Sequence, residues 1–225
     1  MKIVSWNCNG KFRVKYDVIF KINADIYVIQ ECENPKKYPT VFSKIPMQSF
    51  WTGSDENKGL CVFASPEITI RDNQWDTYAL RHFASYRIDD RFDLLCVWAS
   101  KPYIEEYYIY QSIHFNKFHK DMVIIGDFNS NRIWDKENKE RNHSAVVRQL
   151  EGVGLVSAYH YLTKEPQGEE QQPTFFLYRD PSRAYHIDHC FTNPAFIRDY
   201  RIENNREWLV YSDHFPMQLE IEIDA

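Results

Sequence analysis

Val123-Ile-Ile-Gly-Asp-Phe-Asn-Ser130 begins as a buried strand and ends as a polar site. Its β-branched start has the composition of a strand core, and the run breaks at Gly126. Asp127 and Asn129 then follow at i, i+2 spacing, so both side chains point one way while Phe128 turns toward the core. A carboxylate and an amide delivered together at a strand end can orient a water and donate a hydrogen bond to a phosphate oxygen. The same residue types also build an ordinary Asx turn, and the local sequence does not choose between the two.

Working outward, apolar β-branched runs recur at 2–6, 26–29, 60–63, 94–98, 122–125, 174–177, 186–191 and 217–223. Three helical patterns interrupt them. Phe12, Tyr16, Ile19 and Phe20 share one face, Ile104, Tyr107, Tyr108, Phe115 and Phe118 a second, and Val146, Leu150 and Val153 a third, with Ser144 as cap. A helix does not separate every pair of strands, which argues against a purely parallel sheet. The pattern predicts an α/β fold of two mixed sheets packed face to face with helices outside. Segments 131–142 and 163–172 are polar and aperiodic, as surface loops near a site would be. No repeat or linker divides residues 1–225, so one domain is expected.

With 44% hydrophobic and 26% charged residues the composition is that of a globular protein. The net charge of −5 does not attract polyanions as a whole, so nucleic-acid binding would have to rest on a local patch. Cys8, Cys32, Cys61, Cys96 and Cys190 are odd in number and form no C-x-x-C pair, which predicts reduced, mostly buried thiols. The start MKIVSWNCNG reads as a first strand and not as a targeting peptide, and no run reaches membrane-spanning length. A cytoplasmic, membrane-free protein is the expectation, with no protein partner implied.

Other polar residues also fall at strand ends, outside the expected core. Asn7 follows 3–6 and Glu31 ends 25–30; singly, each reads as a turn or rim residue. His186 and Asp188 repeat the i, i+2 geometry, and an in-facing aspartate on an apolar strand needs a partner. Asp213-His214, just before the last strand, offers one, because an Asp–His pair fixes the imidazole tautomer and raises its basicity.

In order, Trp6-Asn7-Cys8-Asn9, Gln30-Glu31, Gly126-Asp127-Phe128-Asn129, Ile187-Asp188-His189 and Ser212-Asp213-His214-Phe215-Pro216 resemble the endonuclease/exonuclease/phosphatase superfamily over nearly the whole chain. The resemblance implies a four-layer α/β sandwich. It also implies a divalent metal, Mg²⁺ or Mn²⁺, at Asn7 and Glu31 with Asp213 assisting. By the same resemblance Asp127 orients and deprotonates the attacking water, Asn129 stabilises the transition state, and Asp188 pairs with His214, which contacts the scissile phosphate. Two departures stand out. The middle segment 97–103 lacks an evident tyrosine or histidine for the phosphate or leaving group, leaving Tyr103 as a minor candidate, and Asn9 stands where some relatives carry a carboxylate.

The catalytic set is shared by nucleases and phosphatases, so substrate must be read from the surroundings. Arg132, Trp134, Lys136, Lys139 and Arg141 follow the Asp127 strand, and Arg179 and Arg183 precede His186, which favours a DNA substrate and an exonuclease III-like activity. Asp135, Glu137 and Glu140 nearly cancel the first group, leaving open a solvated loop. The alternative is a phosphatase or phosphodiesterase for a small-molecule or lipid-headgroup ester. A catalytically inactive binding protein on the same fold is disfavoured by the completeness of the polar set.

Overall fold

The computed structural model describes residues 1–223. The chain opens one sheet with β1 (Lys2–Asn7), β2 (Ile26–Cys32), β3 (Gln48–Asp55) and β4 (Lys58–Ala64). It crosses to a second with β5 (Ile70–Asp72), β6 (Phe83–Ile88), β7 (Phe92–Trp98), β8 (Met122–Asp127) and β9 (Val156–Ser157). A short ribbon, β10 (Phe175–Phe176) and β11 (Ala184–Tyr185), leads to β12 (Asp188–Thr192) in the second sheet. The chain then returns through β13 (Ile197–Ile202) and β14 (Met217–Ile221) to the first. The orders are β13-β14-β1-β2-β4-β3 and β5-β6-β7-β8-β12-β9. Each sheet has one parallel pair at its centre, β1 with β2 and β7 with β8, and antiparallel pairs elsewhere. This is the expected α/β architecture of two mixed, face-to-face sheets.

Strand alternation divides the core. Leu94 and Cys96 of β7 and Val123 and Ile125 of β8 pack with the first sheet, while Leu95, Val97, Met122 and Ile124 face the helices Ile104–His114 and His143–Gly152. Each such fully buried aliphatic side chain contributes roughly 1.5–3 kcal/mol. Phe128 enters the outer cluster, edge-on to Tyr107 at 4.6 Å, as its spacing from Asp127 required. Outside the first sheet the layer is made of short helical turns, whose Phe12 and Phe42 stack on Phe63 at 5.3 and 6.2 Å.

Several local expectations give way. The 12–20 face is not one helix but the turns Phe12–Val14 and Tyr16–Ile19 followed by Phe20–Ile22, because packing on Phe63 and Tyr27 replaces helical continuity. The cap of His143–Gly152 is Asn142, whose side chain accepts from the Ala145 N–H, and not Ser144. Segment 131–142 is not a plain loop, since it holds the helical turns Arg132–Trp134 and Asp135–Asn138. Gly126 does not break β8. It pairs with Val97 inside the strand at φ +149°, and a Cβ there would lie 1.9 Å from the Val97 carbonyl oxygen.

Candidate active site

Strand pairing gathers the polar residues at one end of both sheets. Asn7 lies opposite Gln30 in the parallel β1–β2 pair, which brings Glu31 alongside. Asp127 and Asp188 are register partners across β8 and β12, and Trp98 of β7 flanks Asp127 on its other side. The segment 212–214 reaches the same place just before β14, which pairs with β1.

Asp127 Oδ2 accepts from Asn7 Nδ2 at 2.9 Å and from Asn129 Nδ2 at 3.0 Å, and its Oδ1 accepts from the Asn129 N–H at 2.8 Å. Asn129 also donates to the Ala99 carbonyl from a left-handed backbone at φ +48°, a conformation asparagine tolerates. His214 Nδ1 is 2.9 Å from Asp188 Oδ2, and its Nε2 is 4.0 Å from Asp127 Oδ2. The ligand atoms of Asp127, Asp188 and His214 all lie within 4.8 Å of one another and could hold a metal. Phe175 covers the imidazole with ring centroids 4.7 Å apart.

The sequence placed Asp127 and His214 at strand ends outside the core, but both are buried, and that burial sets their chemistry. Desolvation raises the Asp127 carboxyl to about 7, assisted by the Asp188 charge and opposed by His214 and the amide donors. Burial alone would lower His214, but the Asp188 and Asp127 charges override it and raise the imidazole to about 10. The pair therefore combines a carboxyl poised near neutrality with a cationic imidazole.

Glu31 stands apart from this cluster and pairs with Lys58 at 2.5 Å. Asp213 Oδ1 accepts from Asn9 Nδ2 at 2.7 Å, and Asn7 Oδ1 accepts from the Asn9 N–H at 3.0 Å. Two positioning hydroxyls escaped the sequence reading. Ser212 Oγ donates to the Asn7 carbonyl and accepts from the His214 N–H, tying β1 to the histidine. Thr174 Oγ1 accepts from the N–H groups of Ile187 and Asp188, fixing the start of β12. Ser212 occurs within the last motif and Thr174 opens the apolar run 174–177, but only the fold shows what their hydroxyls bond.

No family model and no curated protein matches the chain. Solved structures do. The 3′ phosphatase NExo from Neisseria, bound to a product DNA hairpin, superposes with TM-score 0.70 at 18% identity, covering 99% of each chain. An AP endonuclease from Archaeoglobus fulgidus gives TM-score 0.72 at 17% identity, over 99% of this chain and 100% of that one. The endonuclease domain of the telomere-specific non-LTR retrotransposon TRAS1 gives 0.69 at 18%, over 100% and 99%. The chain has the fold of these three proteins.

Within that fold a groove of about 330 Å³ opens beside Asn129, walled by Tyr103, Trp134, Phe175, Leu177 and Tyr185 and edged by Glu137 and Asn138. Trp134 packs on Tyr185 at 5.3 Å. Arg132 and Lys136, from the same segment as Trp134, are exposed and do not line the groove. Tyr103 caps the helix Ile104–His114 and is 46% exposed. Arg179 is held to the Val210 carbonyl, and the Arg183 guanidinium lies 5.2 Å over the Tyr178 ring. His82, unremarked in the sequence, stacks on Trp98 at 4.2 Å, and burial lowers its imidazole to about 4.

Proposed function

We propose that the chain is a divalent-metal-dependent hydrolase of phosphodiester bonds, an exonuclease III-like nuclease whose substrate is DNA. The observation that carries this reading is the buried Asp127–Asp188–His214 cluster, bracketed by the amides of Asn7 and Asn129. Its parts suit the reaction. With its pKa near 7, Asp127 is matched to taking a proton from an attacking water. His214, oriented by Asp188 and cationic, presents Nε2 to a phosphoryl oxygen and stabilises the charge that develops there. Asn129 holds Asp127 and can turn its amide toward the same phosphate.

The metal belongs, on this reading, to Glu31, Asn7 and Asp213. The donors are hard oxygens, as Mg²⁺ or Mn²⁺ requires, and Asn7 Oδ1 accepts one N–H and keeps a second lone pair. Asp127 and Asp188 suit this role less, because amide donors and the imidazole already occupy them. Such an ion supplies Lewis-acid polarisation of the phosphoryl oxygen.

Nucleic acid is favoured over a small ester by the groove beside Asn129. Its aromatic walls are what a nucleobase stacks on, each base contributing about 1–3 kcal/mol in such sites. Trp134 is the substrate contact this geometry supports. Arg132 and Lys136 remain phosphate contacts farther along a strand. The whole chain acts as one domain, and five buried free thiols suit a reducing cytoplasm. Among the described residues no helix is long and apolar enough to cross a membrane.

The test is a metal-dependent screen of abasic duplex, duplex and single-stranded DNA, RNA, and inositol and sphingolipid phosphates. DNA should turn over fastest, with a steep loss of affinity with salt that Arg132→Ala and Lys136→Ala make shallower. Faster turnover of the small esters would replace this reading with a phosphatase.

A further inference from the structure

The Glu31–Lys58 pair is built in a way that a solvated surface ion pair is not. Gln30 pairs with Leu60 and Cys32 with Gly59, so Glu31 is the extra residue of a β-bulge, its backbone held in the left-handed region at φ +57°. A glutamate in that conformation is strained, and strain of this kind persists where the surroundings fix it. Glu31 is accordingly well covered, its side chain 19% exposed, whereas Lys58 is 51% exposed. Lys58 comes from the start of β4, directly before the Gly59 that faces the bulge. Its stem passes over the loop after β1, since a Cβ on Gly10 would lie 3.9 Å from Lys58 Cε, and its Nζ ends 2.5 Å from Glu31 Oε2.

Two neighbouring cations are committed elsewhere. Arg13 is bound by Glu33 at 2.7 Å, and Lys15, half-buried, donates to the Cys8 carbonyl at 2.6 Å. Of the three, Lys58 is therefore the one able to exchange partners, and its present partner is the carboxylate that the proposed metal needs.

We infer that Lys58 is a positioning residue that competes with the divalent cation for Glu31 and turns to a substrate phosphate when the cation takes that carboxylate. An ammonium on a flexible four-carbon stem suits such an exchange, because its three donors rotate freely and a phosphate oxygen replaces the carboxylate without loss of hydrogen bonding. The consequence is reciprocal coupling, in which cation binding frees Lys58 for DNA and DNA binding frees Glu31 for the cation. The inference rests on the reading of Glu31 as a metal ligand.

The experiment titrates Mn²⁺ into chelator-stripped protein, following free Mn²⁺ by electron paramagnetic resonance, and measures duplex DNA binding in an Asp127→Asn background to suppress cleavage. Lys58→Met should tighten the Mn²⁺ Kd by roughly two- to fivefold, the range of a partly exposed ion pair. It should weaken DNA binding and reduce the salt slope by about one. Lys58→Arg should bind Mn²⁺ like the wild type. A purely structural role for Lys58 would weaken both ligands together, and Mn²⁺ affinity that is unchanged or weaker in Lys58→Met overturns the inference. Glu31→Gln separates the two readings. If it leaves Mn²⁺ affinity intact, the metal assignment itself fails. If it abolishes binding while Lys58→Met changes nothing, the exchange alone fails. Lys58→Gln serves in place of Lys58→Met should the latter fold poorly.

Discussion

Asp127 accepts three N–H hydrogen bonds and still has its carboxyl raised to about 7, because burial and the facing Asp188 outweigh the donors. Replacing it with asparagine should lower turnover by about 10² to 10⁴ while circular dichroism shows a folded protein. Near-wild-type turnover with metal saturating would remove Asp127 from the chemistry. His214 requires a more careful substitution than its place in the sequence suggests. Alanine there would leave buried Asp188 without its partner, a loss of about 3–5 kcal/mol. His214→Gln, assayed on protein shown to be folded, separates the catalytic loss from the structural one, and turnover should again fall by about 10² or more. Tyr103 lines the groove without joining the cluster, so Tyr103→Phe should change the rate by less than about tenfold. A thousandfold loss would show that its hydroxyl orients the phosphate or protonates the leaving group.

At the scale of the element, β8 shows how one residue type sets the position of a site. Strand pairing with β7 continues through Gly126 to Asp127, and only a residue without Cβ lets the Val97 carbonyl come so close. Gly126→Ala adds overpacking to an unfavourable backbone conformation and should cost about 3 kcal/mol or more, read from the urea midpoint. A variant as stable as the parent would mean that β7 yields easily at this point. The ribbon β10–β11 serves the same end from the other side, since Thr174 at its base holds the backbone of Asp188 and Phe175 covers His214.

At the scale of the whole molecule, the layer behind the site holds a run of buried histidines. The rings of His143 and His189 are 4.7 Å apart, and those of His189 and His186 5.1 Å. Burial lowers His143 to about 4 and shifts His186 and His189 downward as well. A histidine with a depressed folded pKa contributes stability that is present above its unfolded value near 6.5 and is lost as pH falls toward the folded value. Asp127 and Glu106 act in the opposite sense, their raised carboxyls gaining stability as pH falls toward their ordinary values, but they are two groups against four once His82, also lowered by burial to about 4, is counted. His214, raised to about 10, is protonated in both states below about 6 and adds no slope there. The urea midpoint should therefore fall between about pH 6.5 and 4. His143→Gln should show a shallower fall whatever its absolute stability, and an identical slope would show that His143 takes up its proton alike in the folded and unfolded states.

Much of this was legible in the sequence because it rests on short-range rules. The apolar β-branched runs marked most core strands, the i, i+2 spacing aimed Asp127 and Asn129 together with Phe128 opposed, and the order of five motifs implied the fold that superposition then showed. Strands such as β3 and β13 stayed hidden because they are half-exposed and mixed in composition, and their pairing depends on neighbours distant in the chain. Asn142 outcompeted Ser144 as a cap because the preceding turns fix where the helix can begin. Burial of Asp127 and His214, the hydroxyl ties of Ser212 and Thr174, and the contact of Lys58 with Glu31 were decided by tertiary structure alone. Local sequence sets the direction in which a side chain points, whereas desolvation and charge pairing depend on which strands arrive beside it.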